Sequence, residues 1–314
     1  MRACTRFQNK PKGITVTKAA IAAFLTCCLL AACGTTPPAQ DSALVVTAAP
    51  APAPLPKIAL ALGGGAARGF AHVGVIKVLE SHGIVPDMVV GTSAGCIAGA
   101  LYSAGYSGFD LQQMSFDLDR AVVTDWTMFG RGVIKGDALL AFVDQAVKQA
   151  PMERLKRRFA CVAVKLRTGE AVVLDHGDVG EVVRASSAVP GVFEPMKIRG
   201  EDYVDGGLRS PVPIREARAM GADIVIAVDV STPPQGDADS RLAVMHRAID
   251  IMGKGLRENE AAQADIVITP DLGAIGSTDF DDRMHAILAG ERAAQAALPQ
   301  IKEKLAERGI VMGI

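Results

Sequence analysis

The run Gly91-Thr92-Ser93-Ala94-Gly95 lies between an apolar stretch, Met88-Val89-Val90, and a helix-like segment, Cys96-Ile97-Ala98-Gly99-Ala100-Leu101. Strand, sharp turn with serine at its apex, and helix in such quick succession point to a fold in which helices cover a sheet. A serine where the chain reverses projects its hydroxyl above the sheet edge. The backbone N–H groups that open the following helix point at the same place and can stabilise developing negative charge. Gly91 and Gly95 let strand and helix approach closely enough for the turn to form. A bare serine between glycines is otherwise an ordinary turn. In this context Ser93 is the first candidate nucleophile.

Upstream, residues 57–62 read as a short buried strand that enters Gly63-Gly64-Gly65-Ala66-Ala67-Arg68-Gly69 and then a helix from Phe70 to about His82. A glycine-rich turn between strand and helix presents unpaired backbone N–H groups in a concave array, which suits an anion. One reading is a dinucleotide-binding loop with Glu80 as the downstream acid, although Glu80 falls inside the helix and not at the end of a second strand. The other is an oxyanion hole serving Ser93. The second is favoured because the serine turn follows one strand onward and no second phosphate-binding signal appears.

A serine hydroxyl is a poor nucleophile until a base takes its proton. Of the five histidines, His72 and His82 sit on the helix after the glycine loop, and His246 and His285 fall in long helical segments. All four read as surface or packing residues. His176, in Asp175-His176-Gly177, is the histidine placed like a loop-borne base. Against it stands Asp205, in Asp205-Gly206-Gly207 after the β-like stretch Glu201-Asp202-Tyr203-Val204. Burial there would raise the carboxylate pKa and make it a usable base. Alone, Asp-Gly-Gly is more often a hairpin turn.

Together these blocks resemble the bacterial patatin-like phospholipases, in the branch related to the neuropathy target esterase catalytic domain. The resemblance runs from about Lys57 to about Asp229, through residues 62–75, Val90-Gly91-Thr92-Ser93-Ala94-Gly95, Ala185-Ser186-Ser187-Ala188-Val189-Pro190 with its continuation to Pro195, and Val204-Asp205-Gly206-Gly207. It implies a three-layer α/β/α fold and a Ser–Asp dyad without histidine that releases acyl chains from lipids. Carried onto this chain, Ser93 is the nucleophile and Asp205 the proton acceptor. Backbone around Gly63, Gly64, Gly65, Ala66, Gly69 and Ala94, with Arg68 in the same loop, forms the oxyanion and binding region. Family members often carry glycine where this chain has Ala66; a positive φ there would cost alanine about 1–2 kcal/mol. The substrate implied is a lipid ester, and no cofactor is called for. The alternative from another class is a non-catalytic or nucleotide-binding α/β lipoprotein that uses the glycine-rich loop.

Arg2, Arg6, Lys10, Lys12 and Lys18 form a basic leader before the apolar run 19–30, which is too short for an ordinary membrane span. Leu30-Ala31-Ala32-Cys33-Gly34 then resembles a bacterial lipoprotein signal, with residues 1–32 removed and Cys33 lipidated. Gly34 in place of aspartate favours the outer membrane, on its periplasmic face, over the inner one. Residues 33–56, rich in proline, alanine and threonine, are expected to be a flexible tether, and residues 57–314 one catalytic domain.

A net charge of −1 excludes a strongly basic nucleic-acid binder. Cys96 and Cys161 read as small buried hydrophobes rather than a bridge, and no metal-ligand spacing appears. Further strands are expected at 88–92, 159–167, 171–174, 223–230 and 265–269, with helices between them. That alternation predicts a mainly parallel sheet covered on both faces. A long helical stretch is expected over 280–307, in which Gly290 or Pro299 can introduce a break. Between Gly105 and Gly136 the pattern loosens around Phe109, Met114, Phe116, Trp126, Met128 and Phe129. This segment is either a core-packing excursion or a cap lining an acyl pocket.

Overall fold

Among the described residues the chain runs β1 (Ile58–Leu62), α1 (Ala71–Ser81), β2 (Met88–Thr92), α2 (Ala94–Ala104), α3 (Gly108–Asp117), α4 (Asp137–Ala146), β3 (Arg158–Lys165), β4 (Ala171–Leu174), α5 (Val179–Ser186), β5 (Met196–Ile198), β6 (Glu201–Asp205), α6 (Ile214–Ala219), β7 (Ile224–Val228), α7 (Arg241–Ala261), β8 (Ile266–Ile268) and α8 (Arg283–Glu307). The computed structural model describes residues 55–118, 120–123, 125, 131–231 and 241–310. The expected leader, Cys33, the tether as far as residue 54, and Trp126, Met128 and Phe129 lie outside them.

Every residue of β1, β2 and β7 is buried. Such uninterrupted apolar runs suit parallel strands covered on both faces. The sheet has the order β5-β6-β3-β2-β1-β7-β8, with β4 also paired to β3. Its central pairs are parallel, and antiparallel pairing is confined to the β3–β4, β3–β6 and β5–β6 contacts. Alternate residues of the central strands feed two cores. Leu60, Leu62, Val89 and Phe159 pack under α1, α2, α5 and α8, whereas Ala61, Val90, Val162 and Ala227 pack under α6. The mainly parallel sheet with helices on both faces is therefore present.

Register places the working ends of three strands side by side. Leu62 pairs with Gly91 on one side and with Val228 on the other. The glycine-rich loop after β1 and the serine turn after β2 thus leave the same edge of the sheet, where α/β proteins hold ligands.

Two expectations need correction, and one strand was not expected. Cys96 and Cys161 form a disulfide, with Cα atoms 5.7 Å apart. Cys161 pairs with Gly91 across β2–β3, and α2 folds back over β2, so residues distant in sequence meet. Helix α8 is not broken at Gly290 or Pro299. A Cβ at Gly290 would stand 2.0 Å from the Ala71 carbonyl oxygen, so this glycine lets α8 press against α1. Pro299 faces solvent, where the carbonyl it leaves unpaired one turn earlier can be hydrated. Finally, β5 was not anticipated: Met196–Ile198 turns through Arg199 and Gly200, both at positive φ, into β6.

Candidate active site

Ser93 sits between β2 and α2 at φ 52° and ψ −119°, a conformation that is costly for any residue with a Cβ. The fold holds it there. A Cβ at Gly95 would lie 2.1 Å from the Leu62 carbonyl oxygen, so the first turn of α2 can rest against the end of β1 only with glycine at this position. The Ser93 N–H donates to the Ser186 hydroxyl at 2.9 Å, and the Thr92 hydroxyl donates to the Ser210 carbonyl at 2.8 Å.

Asp205 reaches the same place by strand pairing. β4 lines one edge of β3 from Cys161 to Val164. The other edge takes β2 as far as Thr92 opposite Val162, and from Ala163 onward it takes β6, with Asp205 opposite Ala163. The ends of β2 and β6 therefore meet head to head, and Ser93 and Asp205 are the residues at the meeting point. The Asp205 N–H donates to Ala188 O at 2.9 Å, and Asp205 Oδ1 accepts the Gly207 N–H at 2.7 Å. Gly206–Leu208 forms a 3-10 turn leading away, not a hairpin.

Asp205 is only 6% exposed. Burial pushes its carboxyl up to about 6, against the opposing pull of the Ser93 hydroxyl and the Gly207 N–H. The Ser93 interaction falls short of a closed hydrogen bond, and Asp205 Oδ2 is left without a protein donor. Looser contacts of this kind are common before substrate binds. A buried carboxyl with a free acceptor oxygen beside a hydroxyl can take up that hydroxyl's proton near neutral pH.

The glycine-rich loop lies against Ser93: a Cβ at Gly64 would stand 3.3 Å from the Ser93 Cβ. The structure redistributes the amides expected of it. Gly63 N–H donates to Val228 O at 3.0 Å and Gly64 N–H to Pro211 O at 2.9 Å, so both are occupied in bracing the loop. The N–H groups of Gly65, Ala66 and Ala94 have no protein acceptor among the described residues. Ala66 does take positive φ, 51°, the strained value that its departure from glycine raised as a question. Arg68 Nε donates back to Gly65 O at 3.2 Å, and its guanidinium, under pressure from burial, is held charged by Asp250 and Asp229.

The histidines play other parts. His72 is fully buried, its Nε2 2.8 Å from Gly63 O; since a carbonyl can only accept, Nε2 carries the proton. Burial holds its pKa down to about 4, so the neutral ring props the loop. His176 is mostly exposed and pairs with Asp175, and His285 is exposed beside Asp282. The His246 side chain lies outside the described residues. Glu80, the acid weighed for a nucleotide ribose, instead accepts the Gly108 N–H at 2.7 Å and faces Arg157.

A cavity of about 100 Å³ begins at Ala66, Gly69 and Ala94 and runs between α2, α3 and α4 to Leu111, Met114, Leu139 and Phe142. That is several times the space one water needs. Ser115 is the one polar side chain of the lining, and its hydroxyl is turned onto Gln112 O. The loosely patterned segment thus contributes Leu111, Met114, Leu118 and Val122 to the wall, whereas Phe109 and Phe116 point to solvent. Among the described residues no cluster of His, Cys, Asp or Glu could hold a metal ion.

The patatin-like phospholipase family model matches residues 60–218. An uncharacterized NTE family protein of Mycobacterium tuberculosis is 32% identical over 184 residues, covering 58% of this chain and 51% of its own length. Another from the same species is 30% identical over 272 residues, with 77% of this chain and 46% of its own length covered. The chain thus spans about half the length of these relatives. A lysophospholipase of Emericella nidulans is 33% identical over 204 residues, 58% of this chain and 13% of the fungal protein. Among solved structures, VipD from Legionella pneumophila superposes with a TM-score of 0.55 at 15% identity, over 79% of this chain and 67% of that one, which is a likeness of fold.

Proposed function

Because the chain belongs to the patatin-like phospholipase family, we propose that it hydrolyses carboxylic esters of lipids, with Ser93 as nucleophile and Asp205 as the proton acceptor. The observation that carries this reading is the placement of an apolar cavity against the serine turn, with a buried, high-pKa carboxyl on the same strand ends. The acyl chain lies in the cavity toward Leu139 and Phe142, which brings its carbonyl to the mouth formed by Ala66, Gly69 and Ala94. Ser93 Oγ attacks that carbon as its proton passes to Asp205. The tetrahedral oxyanion is met by the unpaired N–H groups of Gly65, Ala66 and Ala94. Asp205 then returns the proton to the departing alcohol oxygen, leaving an acyl-serine ester. Water attacks this ester, again giving up a proton to Asp205, and Ser93 leaves protonated with the fatty acid released.

The substrate assigned is a lipid carrying a single acyl chain, a lysophospholipid above all. The apolar lining suits an acyl chain, and the Emericella nidulans relative is named a lysophospholipase. Fatty-acid release from lysophospholipid and from the matching two-chain phospholipid tests this. Faster turnover of the single-chain lipid is expected, with none by Ser93→Ala. Equal or faster turnover of the two-chain lipid would contradict the substrate assignment.

We further propose that Cys33 is lipidated and that residues 34–56 tether the domain to a membrane of the cell envelope, the outer membrane by preference. The support is the basic leader, the short apolar run and the small residues before the cysteine. Among the described residues no helix is long and apolar enough to cross a membrane.

A further inference from the structure

The geometry points to Ser186 as the residue that positions the nucleophile, acting through the main chain of Ser93 rather than on the substrate; the inference rests on reading Ser93 as that nucleophile. Ser186 ends α5 and is fully buried. Its hydroxyl donates to Val162 O at 2.6 Å and accepts the Ser93 N–H at 2.9 Å. The roles cannot be exchanged. A carbonyl oxygen only accepts, so the single hydroxyl proton is committed to Val162 and the lone pairs are left facing Ser93 N–H.

Val162 is the residue of β3 that pairs with Thr92, the last residue of β2. One hydroxyl therefore ties the serine turn back to the strand beside it, at the point where β2 stops and β6 begins. Cys96 Sγ, bridged to Cys161 and so without a hydrogen to give, packs 3.2 Å from Ser186 Oγ and closes the remaining side.

Ser93 needs such a tie. Its positive φ is unfavourable, and the acceptor of its N–H is the Ser186 hydroxyl. With the Ser186 hydroxyl removed, the turn keeps its strain and loses the acceptor that offsets it. The backbone can then relax toward ordinary dihedrals and carry the Ser93 hydroxyl away from Asp205. The neighbouring Ser187 is a natural control: it is also buried, yet its hydroxyl has no partner among the described residues.

The test compares Ser186→Ala, Ser186→Thr and Ser187→Ala in the full chain, reading kcat and KM on a short-chain nitrophenyl ester together with thermal unfolding. Ser186→Ala is expected to lower kcat by about 10- to 100-fold with KM nearly unchanged, as misplacement of a reacting group does. The midpoint of its pH profile should stay put, because Asp205 is untouched. Ser186→Thr, which keeps the hydroxyl, should recover most of kcat, and Ser187→Ala should match the wild type. If Ser186→Ala does not fold, Ser186→Gly, which also lacks the hydroxyl, takes its place with the same expected loss of kcat. Wild-type kcat in Ser186→Ala, or equal losses in the alanine and threonine variants, overturns the assignment. Ser93→Ala separates the two readings: if it stays active, the nucleophile was misassigned, and if it is inactive while Ser186→Ala is not, only the positioning role fails.

Discussion

At the residue scale the proposed chemistry turns on what burial does to Asp205. Its pKa near 6 stands above the ordinary carboxylate value, so the folded state holds a proton that the unfolded chain releases between about pH 4 and 6. Its contribution to stability is therefore fully present below about pH 4 and is lost as pH rises through 6. Two outcomes are expected. The kcat/KM of the wild type should rise with pH to a plateau above about 6, since only the carboxylate can accept the Ser93 proton. Asp205→Asn should lose most activity yet melt higher than wild type at pH 8, by up to about 3 kcal/mol, with the gap closing near pH 4. A flat pH profile, or a variant less stable than wild type at pH 8, contradicts the assignment. His72 works in the other sense: its pKa of about 4 means that acid puts a charge on a buried ring whose Nδ1 has no protein partner, so stability is lost as pH falls through 4 even though Nε2–H keeps its bond to Gly63 O. Ser93, Asp205 and the loop stand out in the sequence as candidates because each sits at a break between regular elements. The amides that remain free do not. Whether Gly64 or Ala66 keeps an unpaired N–H depends on Pro211, which arrives from a distant part of the chain.

At the element scale, the strands were read almost to the residue because β1, β2 and β7 are buried on both faces and carry continuous apolar runs. Edge strand β5, with three half-exposed or exposed residues, carries no such signal; only the Arg199-Gly200 turn could have pointed to it. The supposed break in α8 shows why helix-breaking residues mislead. In sequence Gly290 reads as a place where the helix can break, whereas its role is to remove a Cβ where two backbones touch. Gly74 answers it on α1, where a Cβ would stand 2.0 Å from Ile287 O. Gly290→Ala should therefore destabilise the domain by about 2–3 kcal/mol. That corresponds to a fall in Tm of roughly 5–10 °C, despite the better helix propensity of alanine. A melting temperature equal to or above the wild type would show that the α1–α8 contact is not close.

At the scale of the whole molecule, the site is a property of sheet topology. β3 offers one edge to two strands in succession, β2 running parallel and β6 antiparallel, and their ends place Ser93 and Asp205 together. No spacing rule in the sequence links residues that meet in this way, and the same holds for Cys96 and Cys161. The cavity wall is likewise assembled from α2, α3 and α4, so that its existence, unlike the serine turn, emerges only on folding. The proposed anchor adds a prediction at this scale. Cys33→Ala should move the full chain from the detergent-extractable membrane fraction to a soluble or unprocessed form without changing kcat on a water-soluble ester. Wild-type protein found wholly soluble in the cell envelope would rule the anchor out.

On the proposed function, Ser93 is a nucleophile activated without histidine. The most direct measurement of this is reaction with a serine-directed fluorophosphonate, followed by mass mapping of the labelled peptide in the wild type, Ser93→Ala, Asp205→Asn and His176→Ala. A single adduct on Ser93 is expected, absent in Ser93→Ala, greatly slowed in Asp205→Asn and formed at the wild-type rate in His176→Ala. Label on another residue, or a rate that falls with His176→Ala and not with Asp205→Asn, would contradict the account.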